Sequence, residues 1–239
     1  IVSSIMSKKI SAGCKSIVLD VKTGSGALVK EITEAEILAN TMVKVGRQCK
    51  RKILAVITDM DSPLGYTVGN AIEVKEAVNM LRGNGSKRLK EVCLALSANM
   101  LSLSLDINVE EGMVLAENAL NSGRAYDKML EWIKYQEGDI RYIENTSLLP
   151  TCKIIKEVVS PESGYIHRID AGIIGHASVK LGCGREKKSD KIDYGAGIVL
   201  KHENGDKISK GDILATVYAS DESKAEDVCN EILNAFLIK

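Results

Sequence analysis

The stretch Ser16-Ile17-Val18-Leu19-Asp20-Val21-Lys22-Thr23-Gly24-Ser25-Gly26-Ala27 decides the fold. Its first half is dense in Ile, Val and Leu with little alternation, the pattern of a strand covered on both faces. Small residues follow at once, so the strand runs straight into a tight loop. Just before it, Ser4-Ile5-Met6-Ser7-Lys8-Lys9-Ile10-Ser11-Ala12-Gly13 has the spacing of a helix that stops at a glycine. Ser4 and Lys8 are four apart and stack on one helix face. A hydroxyl and an ammonium side by side can grip the polar edge of a small planar ligand. The chain opens at Ile1, inside that helical pattern, and further sequence is expected upstream.

Downstream, helix and strand keep alternating. Thr33 and Glu36 have capping-box spacing and open a helix running to about Cys49. Residues 52–58 read as a second buried strand, and Asp61-Ser62-Pro63-Leu64-Gly65 as a turn. A helix is predicted over 67–81, ended by Gly83-Asn84-Gly85, and two more over about 86–104 and 109–136. This order predicts an α/β fold: an incomplete parallel sheet with helices on both faces. After Pro150 short β segments appear at 154–159, 164–169, 197–200 and 213–218. Asn204-Gly205-Asp206 and Lys210-Gly211-Asp212 punctuate them, with helices over about 171–181 and 223–237. A smaller C-terminal α+β domain is expected there, with the boundary near residue 150.

The chain carries 32 basic and 32 acidic side chains, so it presents no global field for nucleic acid or an anionic membrane. No apolar run reaches the roughly 18 residues of a membrane span, and no secretory pattern opens the sequence. A cytoplasmic protein is expected. Cys14, Cys49, Cys93, Cys152, Cys183 and Cys229 form no CxxC pair or zinc knuckle; each sits among apolar neighbours and is expected to be a reduced, buried thiol. His167, His176 and His202 match no metal spacing.

Three blocks then become specific. The first is Ser4–Lys9 followed by Val18-Leu19-Asp20-Val21-Lys22-Thr23-Gly24-Ser25-Gly26-Ala27. The second joins Thr58-Asp59-Met60, Pro63-Leu64-Gly65-Tyr66 and residues 68–77, Val-Gly-Asn-Ala-Ile-Glu-Val-Lys-Glu-Ala. The third runs from Gly164-Tyr165-Ile166 through Gly184-Arg185 to Gly197-Ile198. In this order they resemble the pyrimidine nucleoside phosphorylases, thymidine phosphorylase among them, over nearly the whole chain. The resemblance implies cleavage of a pyrimidine nucleoside by inorganic phosphate, giving free base and pentose 1-phosphate. Phosphate is already anionic, so it needs positioning more than a strong base. The leaving pyrimidine gathers negative charge, and donors aimed at it act most in the transition state.

By that resemblance Ser4 and Lys8 bind the base, Lys8 carrying the catalytic role, and Leu28 stands where an apolar side chain contacts the base. A potassium ion is implied beside the main-chain carbonyls of Leu64 and Thr67 and the carboxylate of Glu76. The physics agrees: hard cations take oxygen ligands, and one carboxylate suits a monovalent ion. Domains are then a helical-domain remnant at 1–13, a central α/β domain at 14–150 and a C-terminal domain at 151–239. Thr23-Gly24-Ser25-Gly26 reads as a tight strand-to-loop turn or as a loop closing over the base; the full GxGxxG pattern fails, because position 29 is Val. The family's glycine-rich phosphate loop and a base-binding arginine occur nowhere in the sequence. The chain alone is therefore expected to be inactive, as the C-terminal portion of an enzyme whose members are commonly homodimers. Residues 151–239 also resemble the hammerhead fold of biotinyl and lipoyl carriers, but no Met-Lys-Met-type turn is present. A noncatalytic nucleoside-binding or oligomerisation remnant is the remaining alternative.

Overall fold

The structure is a computed structural model that describes all of residues 1–239. It opens with helix α1 (Val2–Ser11), which Gly13 ends in a left-handed conformation, φ 79°. Strand β1 (Ser16–Thr23), helix α2 (Ile32–Gln48) and strand β2 (Lys52–Asp59) follow. β1 and β2 pair in parallel over their full length, from Ser16 opposite Lys52 to Thr23 opposite Asp59.

The two faces of this pair are chemically different. Ile17, Leu19 and Val21 point toward α2 and share a core with Ala35, Ala39, Met42 and Met6 of α1. Gly46 is part of that packing: a Cβ there would lie 2.6 Å from Ile53. On the opposite face Ser16 Oγ donates to the Leu103 carbonyl of α4 (Lys87–Leu105) at 3.3 Å. Helices thus cover both faces, as the dense apolar strands require.

Between β2 and α4 lie strand β3 (Thr67–Gly69) and helix α3 (Ala71–Leu81). The predicted helix over 67–81 is corrected here: its first three residues pair antiparallel with a strand far along the chain, and Asn70 separates them from α3. The helix predicted over 109–136 is also two, α5 (Val109–Asn121) and α6 (Arg124–Tyr135), because Gly123 breaks it at φ 80°. α5 packs on α4 through Gly112, where a Cβ would sit 2.4 Å from the Ala98 carbonyl oxygen. No single helix is long and apolar enough to cross a membrane; α4 and α5 pass that test only as a pair bent by 117°. The Thr33/Glu36 capping box does not form: α2 starts two residues too early, at Ile32, with Glu31 in place of Thr33 as its uncapped N-cap.

A short helix α7 (Arg141–Glu144) leads into the second unit. Its elements are β4 (Ile154–Val159), β5 (Gly164–Ile169), α8 (Ala171–Leu181), β6 (Gly197–Leu200), β7 (Lys207–Ile208), β8 (Ile213–Ala219), α9 (Glu222–Leu233) and β9 (Phe236–Ile238). Four strands form an antiparallel sheet in the order β3-β6-β8-β4, and three form a second in the order β7-β5-β9. α8 is capped at its start by Asp170, whose side chain accepts from Ile173 N, and at its end by Gly182 at φ 103°. Ile166, Ile174, Ile198, Leu214, Val217 and Val228 are fully buried in the main core between these layers. The predicted final helix stops at Leu233, and its last residues become β9 against β5.

Cysteine burial differs from expectation. Cys152 is buried and Cys93, Cys183 and Cys229 are half-buried, but Cys14 and Cys49 are exposed, because both lie in the connections flanking β1 and β2 rather than in an element's apolar face.

Candidate active site

Parallel strands deliver their ends to one side of a sheet, and ligand sites in α/β folds form there. At the end of β2 the chain makes the predicted turn. Arg88 of α4 clamps it: Nη2 donates to the Asp59 carbonyl at 2.9 Å and to Asp59 Oδ2 at 2.7 Å, and Nη1 to the carbonyls of Ser62 and Pro63 at 3.2 and 3.1 Å. The next carbonyl, that of Leu64, accepts no main-chain hydrogen bond. Glu76 of α3 then folds onto the following residues. Its carboxylate accepts from Tyr66 N at 2.6 Å, from Thr67 N at 3.1 Å and from Thr67 Oγ1 at 2.6 Å. Gly65 makes the space, since a Cβ there would sit 2.5 Å from Glu76 Oε2.

Thr67 and Glu76 are therefore brought together as one clasp, with Gly65 packed against the carboxylate and Leu64 one residue further along the turn. Its donor set is oxygen only, with one formal negative charge, which suits a hard monovalent cation. A carboxylate has about four acceptor positions, so three hydrogen bonds leave one for an ion. The clasp opens on a cleft of about 590 Å³ lined by Tyr66, Lys75, Asn79, Ser86 and Tyr218 among others. Burial and then the neighbouring Glu203 carboxylate push the Tyr66 phenol up to about 12, so it stays neutral at physiological pH.

The loop after β1 carries Leu28. Thr23 Oγ1 donates to the Lys30 carbonyl at 3.0 Å, Lys30 Nζ to the Ser25 carbonyl at 2.6 Å, and Gly24 N to the Val29 carbonyl at 3.3 Å. Leu28 projects from this closed loop and is 77% exposed. Gly24 sits at φ 116°, and a Cβ there would lie 2.6 Å from Asp61 N. Only glycine fits both demands.

Ser4 and Lys8 share the solvent-facing side of α1, opposite the buried Met6. Both are exposed, and neither lines any of the three main clefts. The residues of the chain do not enclose Ser4, Lys8 and Leu28 in a common cavity.

One polar cluster escaped the sequence reading. The register sets Lys22 opposite Thr58, and Lys22 Nζ donates to Thr58 Oγ1 at 3.0 Å and to Asp20 Oδ2 at 2.8 Å. Strand alternation places Asp20 and Lys22 on one face, the α4 face, and that alternation was the available signal. Arg88 carried no signal, since its partners are mostly main-chain carbonyls. A second pinned group lies in the C-terminal unit. Asp193 accepts from Ser220 Oγ at 2.6 Å and Gly195 N at 3.0 Å, with the buried Cys152 thiol 3.6 Å away. Burial raises the Cys152 thiol, and burial likewise pushes Cys183 up to about 12. Both are poor nucleophiles at neutral pH.

Comparison with known proteins gives the family. The family model described as "Glycosyl transferase family, a/b domain" matches residues 1–126. The one described as "Pyrimidine nucleoside phosphorylase C-terminal domain" matches residues 165–239. A pyrimidine-nucleoside phosphorylase of Geobacillus stearothermophilus is 42% identical over 229 residues, covering 95% of this chain and 53% of the relative. One from Staphylococcus aureus (strain USA300) is 42% identical over 239 residues, covering 100% and 55%. One from Staphylococcus epidermidis is 40% identical over 240 residues. The chain spans about half the length of the curated relatives it matches. Two family models that fall in order on the two structural units, and relatives that align through both, place the chain in the pyrimidine nucleoside phosphorylase family of glycosyl transferases.

Proposed function

We propose that the enzyme to which this chain belongs is a pentosyltransferase that cleaves pyrimidine nucleosides with inorganic phosphate. The observation that carries the reading is 42% identity to pyrimidine-nucleoside phosphorylases running through 95% of the chain. Ser4 and Lys8 hold the base, and Leu28 packs against it. In this role the Lys8 ammonium stabilises charge that develops on the departing pyrimidine, a contribution on the order of 2.7–4 kcal/mol for a preorganised donor. A monovalent cation, potassium, sits at the Leu64 and Thr67 carbonyls and the Glu76 carboxylate. Its charge steadies the turn that Arg88 grips. The site works in the cytoplasm on small molecules, with phosphate as co-substrate and two copies of the enzyme in a dimer.

The wall opposite Ser4 and Lys8, and the phosphate donors, belong in this reading to the part of the relatives that the match leaves out. The 239 residues by themselves are then without phosphorolytic activity. Release of free base from thymidine or uridine, with phosphate present, tests that: release by the purified chain overturns it. In the active enzyme Lys8→Ala is expected to lower turnover about 100-fold or more while the KM for phosphate stays within a few-fold. Unchanged turnover would end the assignment of Lys8.

A further inference from the structure

We propose that Asp61 is a positioning residue: it latches the loop that carries Leu28 to the N-terminus of α8, so the base-contacting loop is ordered by the C-terminal unit. The Leu28 half of the proposal rests on the base-binding reading above; the latch itself rests on geometry alone.

Three pieces of chain meet at Asp61. Its carboxylate Oδ1 accepts from Ser25 N at 2.8 Å, and its main-chain carbonyl accepts from Ser25 Oγ at 2.9 Å. The same carbonyl accepts from Ala171 N, the first residue of α8, at 2.9 Å. Asp61 is itself braced, because its N–H donates to Asp59 Oδ1 at 2.8 Å, and Arg88 holds that Asp59 from α4. Gly26 N donates to the Met60 carbonyl at 2.9 Å and completes the seam.

The seam has no slack. A Cβ on Gly26 would lie 2.7 Å from Ala171 Cβ, one on Gly172 would lie 2.7 Å from the Ser25 carbonyl oxygen, and one on Gly24 would meet Asp61 N at 2.6 Å. Three glycines from two distant segments thus let main chain touch main chain around one aspartate. Within the loop itself, Lys30 Nζ and Thr23 Oγ1 close the ends, so the only ties holding the loop to its surroundings at Ser25 and Gly26 pass through Met60 and Asp61. Loosening them frees Leu28 as a unit, without touching α1 or the Glu76 clasp.

Two measurements test this, hydrogen exchange on the purified chain and base binding in the active enzyme, with Asp61→Ala, Asp61→Asn and Ser25→Ala compared with the original sequence. Asparagine keeps an acceptor oxygen for Ser25 N–H, whereas alanine does not. In Asp61→Ala the amides of Ser25 and Gly26 are expected to exchange with deuterium about tenfold faster, and in Asp61→Asn within about threefold of the original. Ser25→Ala should accelerate Gly26 and Ala171 while amides of α2 and β1 stay unchanged. Unaltered exchange in Asp61→Ala overturns the latch. Thymine is then titrated into the active enzyme carrying the same substitutions while the Leu28 methyl resonances are followed, and about fivefold weaker binding is expected for Asp61→Ala, restored in Asp61→Asn. Equal thymine affinity in Asp61→Ala, with exchange accelerated, overturns the positioning role. If the original enzyme shows no Leu28 response to thymine while the exchange effect is present, the latch stands and the base-binding reading is what falls.

Discussion

Replacing Glu76 with alanine removes the acceptor from three donors at once: the amides of Tyr66 and Thr67 and the Thr67 hydroxyl. A hydrogen bond to a charged group contributes about 1.5–3 kcal/mol net. The hydroxyl can turn to water, and the half-buried site lets water reach the amides, so the three do not sum. The loss expected is about 2–4 kcal/mol. For a chain of this length each kcal/mol moves Tm by about 2–4 °C, so Glu76→Ala should lower Tm by roughly 5–15 °C. Glu76→Gln keeps the shape but turns one acceptor into a donor facing donors, and an intermediate loss follows. Thermal unfolding followed by circular dichroism, in potassium chloride and in tetramethylammonium chloride at equal ionic strength, also tests the cation. A ligand that binds only the folded state at ten times its Kd adds about 1.4 kcal/mol, or roughly 3–6 °C. The original chain should show that gain in potassium and Glu76→Ala should not. A Tm unchanged by Glu76→Ala would refute the clasp, and equal potassium gains in both proteins would refute the ion site.

The other predictions need less argument. Gly112→Ala puts a methyl 2.4 Å from the Ala98 carbonyl oxygen; overpacking of about 1–3 kcal/mol should outweigh the roughly 1 kcal/mol that alanine brings to a helix, and urea unfolding showing a stabilised variant would contradict the packing. Ellman's reagent at pH 8 should titrate the exposed Cys14 and Cys49 first and Cys152 and Cys183 last, since burial raises the latter two thiols; rapid labelling of Cys183 would be the wrong outcome. Burial alone would raise the Asp193 carboxyl, but donors from Ser220, Gly195, Cys152 and Ala196 together outweigh it and hold it below its ordinary value. Its contribution to stability is therefore complete above the ordinary carboxylate value and is lost as pH falls through the lower folded one, so Asp193→Asn should flatten the acid limb of stability below about pH 4. An acid limb identical in both proteins would sink that assignment.

What the sequence disclosed depended on where each element's signal resides. β1, β2 and α8 were legible because their information is local: dense β-branched runs for the strands, Asp170 and Gly182 as caps for the helix. β3 was not, because Thr67–Gly69 is too short to show a period of two, and what makes it a strand is β6, far along the chain. The helix break at Gly123 was not legible either, because an isolated glycine within a helical run gives no local sign of a left-handed φ. At the site, Leu64, Thr67 and Glu76 could be named together only through the family motif, since no spacing rule predicts a carboxylate reaching back to main-chain amides. The Arg88 clamp and the Asp61 latch were illegible for the same reason: main-chain carbonyls carry no residue identity.

The contrast between the two halves of the candidate site is physical. The Glu76 clasp is assembled by elements within the chain, and its partners lie at 2.6–3.1 Å. Ser4 and Lys8 have the right spacing but lie in solvent. Two unit charges 4 Å apart attract by about 1 kcal/mol in water and by about 4 kcal/mol at the effective dielectric near a protein surface, so an ammonium gains catalytic leverage only as water is excluded. Pyrimidine affinity of this chain should accordingly be weak, because the neutral base offers Lys8 no full charge in the ground state, while potassium should bind the Glu76 clasp with little regard to what covers α1. A tight thymine site on the chain alone would mean that the base sits somewhere other than the exposed face of α1.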